Sequence, residues 1–185
     1  LVTKYDALNR PIETGQWVNN TAWAAHLTNA FDAIDYPSTS TGYELLSQTH
    51  YDDYNGLPTG LTGTFNVSGY STYLNASSSS PEYADGIPVT PTLLTRGGAT
   101  WSKTKVLGTE SQFLPIVNLF DDKGRVIQTQ SINVMGGLDI VTNQYNFSGQ
   151  LLRNHVKHQK TSNDPVYQVA TRNTYDELGR IYLIE

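Results

Sequence analysis

The stretch Leu114-Pro115-Ile116-Val117-Asn118-Leu119-Phe120-Asp121-Asp122-Lys123-Gly124-Arg125-Val126-Ile127-Gln128-Thr129-Gln130 decides the fold. Two runs with strand composition flank a short polar segment that opens on Asp and carries Gly three residues later. Asp at the first position of a type I turn accepts N–H bonds from the residues that follow, and Gly supplies the positive φ of a bulged hairpin turn. The segment therefore reads strand, turn, strand. The same order of residue types (aromatic, Asp or Asn, two variable residues, Gly or Asn, Arg or Gln) recurs at Tyr5-Asp6-Ala7-Leu8-Asn9-Arg10, Tyr145-Asn146-Phe147-Ser148-Gly149-Gln150 and Tyr175-Asp176-Glu177-Leu178-Gly179-Arg180. Asn9 fits because Asn is the best substitute for Gly at positive φ. Around the later copies lie Ile140-Val141-Thr142, Leu151-Leu152, Val166-Tyr167-Gln168-Val169 and Ile181-Tyr182-Leu183-Ile184, which read as strands.

A lone hairpin is marginal in water, so successive hairpins must pair side by side. The expected fold is all-β: an antiparallel sheet of successive hairpins with an irregular insertion and one short helix. Residues 1–35 hold the first hairpin and the helix, read at Thr21 to Phe31 with Asn20 or Thr21 as its cap. Residues 36–105 form an insertion rich in Ser, Thr, Gly and Tyr. Within it Asn75-Ala76-Ser77-Ser78-Ser79-Ser80-Pro81 reads as loop and Gly63-Thr64-Phe65-Asn66-Val67 as a short strand. Residues 106–185 hold the later hairpins.

Composition agrees and narrows the function. Twelve Tyr, 15 Gly and 8 Pro among 185 residues lean towards strands and turns. The absence of Cys excludes a disulfide framework and thiolate metal sites. A net charge of −5 and a pI near 5.3 argue against a general nucleic-acid partner. No apolar run reaches the length of a membrane span. The chain opens and closes on residues that read as mid-strand. It is expected to be a piece of a longer polypeptide, with any targeting signal outside it.

The repeats resemble those of the Rhs/YD-repeat family, whose mark is Tyr-Asp followed by Gly-Arg. Tyr175-Asp176 with Gly179-Arg180 and Phe120-Asp121 with Gly124-Arg125 match it. With Tyr5-Asp6-Ala7-Leu8-Asn9-Arg10-Pro11 and Tyr51-Asp52-Asp53-Tyr54, the chain looks like the Rhs proteins of Bacteroidetes. The resemblance implies a spiral sheet of hairpins forming a hollow shell around a C-terminal toxin or effector, in a secreted or surface-associated protein. Asn9 departs from the family's Gly, Asn146 from its Asp and Gln150 from its Arg, which leaves the third copy degenerate. The family's self-cleaving segment has no equivalent, so no such activity carries over.

No Gly-x-Ser-x-Gly elbow is present, and nothing places His26, His50, His155 or His158 beside a Ser and a carboxylate. No catalytic residue, metal site or cofactor is expected. His155 and His158, an odd number apart on one strand, point to opposite faces. Tyr51-Asp52-Asp53-Tyr54-Asn55-Gly56 reads as a turn. Arg153, His155 and Lys157 share a strand face, with Lys160 just beyond. That stripe suits an anionic glycan or phosphate, or is simply the solvated side of a half-buried strand. Trp17, Trp23, Trp101, Tyr70 and Tyr73 are ring types that stack on sugars, although Trp17 and Trp101 equally suit a core around the insertion.

The expected function is structural. The chain is read as a repeat segment whose partners are further repeats and an effector of the same polypeptide. The alternative is a carbohydrate-binding or adhesion module, with Trp101, Tyr70, Tyr73, Arg153 and Lys157 as its ligand residues and cell-surface carbohydrate as its partner. Aromatic exposure separates the two.

Overall fold

The computed structural model of the chain describes residues 1–33, 36–37, 41–67, 73–74 and 91–185. Ten strands form an antiparallel sheet whose order follows the chain: β1 (Val2–Tyr5), β2 (Pro11–Trp17), β3 (Tyr43–Tyr51), β4 (Ala99–Lys105), β5 (Phe113–Phe120), β6 (Val126–Ile132), β7 (Leu138–Tyr145), β8 (Leu151–Gln159), β9 (Val166–Tyr175) and β10 (Ile181–Ile184). One helix, α1 (Trp23–Asp32), stands among the described residues. The all-β class with one short helix is as the repeats require. The chain divides into two compact units, Leu1–Thr49 with Lys103–Phe113, and His50–Ser102 with Leu114–Glu185.

In the first unit β1 pairs with β2, and β2 with β3 from Glu13↔Gln48 to Trp17↔Tyr43. Gly15 is needed for this approach: a Cβ there would lie 2.4 Å from the Tyr43 ring and 2.5 Å from the Glu44 carbonyl oxygen. Alanines 24, 25 and 30 favour α1. Neither Asn20 nor Thr21 caps it. The N-cap is Ala22, without a side-chain bond, and Asn19 Oδ1 instead accepts the Thr21 N–H at 2.8 Å outside the helix. His26 meets the Trp17 and Tyr36 rings. Trp23, Leu27 and Phe31, four apart on one helix face, are exposed.

The second unit contains β6 to β10 and the core. Leu61, Phe65, Trp101, Val117, Leu119 and Ile127 are buried together, with Tyr54, Leu57, Ile132, Leu138 and Tyr145 packed against them. The described part of residues 36–105 is thus more ordered into strands and core than its composition suggests. It carries β3 and β4 at its ends and supplies Leu61, Phe65 and Trp101 to the core. Polar side chains hid this, because the covered face of the sheet is itself polar: Thr100, Gln128, Gln130, Thr142, Gln144 and His155 are all buried.

The expected strand at Gly63–Val67 does not form. Its backbone is bonded by glutamine side chains rather than by a neighbouring strand. Gln128 accepts the Asn66 N–H and donates to the Asn66 carbonyl, both at 2.9 Å, and Gln130 Nε2 donates to the Thr64 carbonyl at 2.9 Å. Buried backbone groups must be bonded, and here side-chain amides replace a ladder. The segment Asn75–Pro81 lies outside the described residues.

Candidate functional site

Each six-residue motif builds one turn. The Asp or Asn N–H donates to the carbonyl of the sixth residue, and the fifth residue's N–H donates back to the Asp or Asn carbonyl. These bonds are 3.0 and 3.0 Å at Asp6, 3.0 and 3.1 Å at Asp121, 3.0 and 3.0 Å at Asn146, and 2.9 and 2.9 Å at Asp176. The fifth residue lies in the left-handed region, with φ of 60° at Asn9, 75° at Gly124, 89° at Gly149 and 77° at Gly179. Asp6, Asp121 and Asp176 each take two backbone N–H bonds on Oδ1 and the Arg Nε on Oδ2, the last at 2.7, 2.6 and 2.8 Å from Arg10, Arg125 and Arg180. The backbone N–H of Arg10 is the main cause that holds the Asp6 carboxyl below its ordinary value, and that of Arg180 does the same for Asp176.

Two features accompany the repeated turn. The first is the bulge that its positive-φ position leads one to expect. Tyr5↔Pro11 is followed by Lys4↔Glu13, Phe120↔Val126 by Leu119↔Gln128, Tyr145↔Leu151 by Gln144↔Arg153, and Tyr175↔Ile181 by Thr174↔Leu183. Ile12, Ile127, Leu152 and Tyr182 are left over at the same place in each hairpin. A bulge re-aims its side chains, and Ile127 joins Leu119 in the core.

The second feature is a reciprocal clamp between consecutive hairpins. Arg125 Nη1 donates forward to the Asn146 carbonyl at 3.0 Å, and Tyr145 Oη donates back to the Val126 carbonyl at 3.1 Å, where Asn143 Nδ2 also donates at 3.2 Å. One hairpin on, Gln150 Nε2 donates forward to the Gly179 carbonyl at 3.3 Å, and Tyr175 Oη and Asn173 Nδ2 donate back to the Leu151 carbonyl, each at 2.9 Å. The Arg125 guanidinium also lies 4.9 Å over the Tyr145 ring. In the third and fourth motifs the aromatic, Tyr145 or Tyr175, is therefore a cross-hairpin donor as well as an apolar ring.

A further turn escaped the motif. Asn133 accepts the Met135 and Gly137 N–H groups on Oδ1, and Gly136 has φ 84°. Asn followed by Gly three residues later was the available signal, but Ile132 and Gly137 replace the flanking aromatic and Arg.

The stripe Arg153, His155, Lys157 is not a solvated basic face. His155 is completely buried, with Nε2 3.0 Å from Gln168 Oε1 and the Tyr73 ring stacked on it at 5.6 Å. Burial lowers the His155 pKa below its ordinary value, Lys157 adds to that, and the Gln168 bond opposes it. Arg153 Nη1 is engaged by the Tyr73 carbonyl at 2.8 Å. His158 lies on the other face, paired with Asp139 at 2.7 Å. Tyr73 is about half exposed at 49%.

Trp101 presents no open face. It is 5% exposed, its indole N–H donates to the Asn55 carbonyl at 2.9 Å, and His50 stacks on it at 5.2 Å. Trp17 is half-buried and donates to the Thr41 carbonyl at 3.0 Å, whereas Trp23 is open. Tyr70 lies outside the described residues. The Tyr51–Gly56 stretch ends β3 in a turn, with Asp53 accepting from His50 at 2.7 Å and from the Asn55 N–H at 2.8 Å. Among the described residues no three His, Asp or Glu side chains gather as metal ligands, and no helix is long and apolar enough to cross a membrane.

The repeated turn, the bulge after it and the clamp between neighbours define an antiparallel hairpin-repeat protein. Set against protein-family models, curated proteins and solved structures, the chain matches none of them.

Proposed function

We propose that the chain is a structural repeat segment of Rhs/YD-repeat type, from a secreted or cell-surface protein, and part of a β-shell that scaffolds or encapsulates a C-terminal effector of the same polypeptide. One observation carries this reading. The recurring polar side chains of the second, third and fourth motifs, at their first, second and sixth positions, are spent on the turn itself or on bonding a neighbouring hairpin. That is the economy of a scaffold, whose repeats exist to hold their neighbours.

Limited proteolysis of the full polypeptide tests it. Sequence downstream of the sheet should be protected for as long as the sheet stays folded. Cleavage there as fast as in an isolated peptide would remove the encapsulating role.

A second reading, carbohydrate recognition, is favoured by the half-exposed Tyr73 ring stacked on His155, beside Arg153 and Lys157 on the neighbouring strand face. A glycan array with the native chain and Tyr73→Ala separates the two. Binding lost in the variant would move the function to carbohydrate recognition, and no binding by the folded chain leaves the scaffold.

A further inference from the structure

We infer that Asn55 is a self-modifying site: in the folded chain the Gly56 nitrogen displaces its side-chain amide, and the isoaspartate that results loosens the anchorage of Trp101.

Asn55-Gly56 is the one place in the sequence where Gly follows Asn. Gly lacks the side chain that would hinder approach of its own nitrogen to the Cγ of the residue before it. Both residues are exposed, in the turn that ends β3. Gly56 has φ 65°. Among the described residues no group accepts the Gly56 N–H, so its proton is open to solvent base.

Other turn asparagines lack these conditions. Asn133 and Asn146 accept backbone N–H bonds on Oδ1, and Val134 and Phe147 follow them. Asn9 is followed by Arg10, whose N–H is held by Asp6 Oδ1 at 2.9 Å.

The reaction needs only water. The Gly56 nitrogen loses its proton and bonds to Asn55 Cγ. The bond from Cγ to the side-chain nitrogen breaks, and ammonia leaves with a proton returned from solvent. Nucleophile and electrophile are held in adjacent residues, so the attack is intramolecular. Water then opens the succinimide at either carbonyl. One opening gives aspartate; the other gives isoaspartate, whose main chain runs through Cβ and Cγ.

The backbone of Asn55 holds two anchors. Its N–H donates to Asp53 Oδ1 at 2.8 Å, and its carbonyl accepts the Trp101 indole N–H at 2.9 Å. Isoaspartate inserts a methylene between that N–H and the peptide to Gly56, and it turns the old carbonyl into a carboxylate beside Asp53. Trp101 is buried in the core, where its indole N–H must keep an acceptor in place.

Ageing the whole chain in mildly alkaline buffer tests both steps. An acidic species should grow with time as ammonia is released, with the amide-to-acid mass change confined to the peptide that holds Asn55. An isoaspartyl methyltransferase should label that peptide. Asn55→Gln should lose the reaction, and Gly56→Ala, a second variant on the other reacting residue, should slow it. The isolated isoaspartyl species should have a lower urea midpoint than the fresh chain. Asn55→Asp, which adds the charge without the methylene, should keep most of that midpoint. An Asn55 peptide that stays intact in the folded chain while it reacts in guanidinium would show that the turn protects it, and would overturn the proposal. So would a mass change that persists in Asn55→Gln, or an isoaspartyl species that melts like the fresh chain.

Discussion

Asn146 Nδ2 donates to Gln150 Oε1 at 2.6 Å, in the position where Asp121 and Arg125 form an ion pair. The third copy of the repeat, degenerate by its letters, has exchanged both partners together. An amide pair keeps the geometry of the turn, and Asn146 Oδ1 still accepts the Gln150 N–H at 2.8 Å. Each single change, Asn146→Asp or Gln150→Arg, should lower stability, while the double change to Asp and Arg should recover most of the loss. A double-mutant cycle by urea melting should give a coupling of about 1 kcal/mol. Additive single effects would show that the two side chains act independently.

Gly124 has φ 75° and no atom within 4 Å of where a Cβ would stand. Its requirement is backbone conformation, not space. Gly124→Val should cost about 1–3 kcal/mol. Gly124→Asn should cost only a fraction of that, because Asn9 holds the same place at φ 60°. Urea midpoints for the two variants check the order, and a silent valine would refute the turn assignment.

Tyr145→Phe removes the hydroxyl bond to the Val126 carbonyl and leaves the ring, as Phe120 already does in the second copy. The expected loss is about 1 kcal/mol, softened because Asn143 still donates to that carbonyl. Asn143→Ala together with Tyr145→Phe should therefore cost more than the sum of the two single changes. Thermal or urea melts of the three variants measure it.

Gln128 is fully buried, and its amide bonds the Asn66 N–H and carbonyl, the Thr142 hydroxyl and Gln130. Gln128→Leu keeps the bulk and strands those groups, at about 3 kcal/mol or more. A loss below about 1 kcal/mol would mean that water replaces the amide.

His155 supplies a pH dependence. Its folded pKa lies below the ordinary 6.5, so the unfolded chain binds the proton more readily. Stability should be level above that value and fall as pH drops below it. The carboxyls of Asp6, Asp53 and Asp176, also lowered, add a separate loss as pH falls below their ordinary 3.8. Urea midpoints against pH should show the first slope weakened in His155→Gln and the second unchanged. An identical first slope in the variant would clear His155 of the effect.

Local chemistry determined what could be read without coordinates. Asp or Asn with Gly or Asn three residues on bonds its own backbone, so the four motif turns, and the strands between them, followed from short-range geometry. The turn at Asn133 obeys the same rule, but a pattern that also demanded a neighbouring aromatic and Arg passed over it. Tertiary structure alone decided the rest. Gln128, Gln130 and His155 read as polar strand positions, yet all three are buried: Thr62–Asn66 takes the hydrogen bonds of the two glutamines, and His155 lies against the Tyr73 ring with its Nε2 on Gln168. Trp101 has the composition of a sugar platform and the position of a core residue. The bonds from Tyr145 to Val126 and from Arg125 to Asn146 join residues that are neighbours only once hairpins stand side by side. Pairing between strands, rather than residue type, sets which carbonyl each side chain meets.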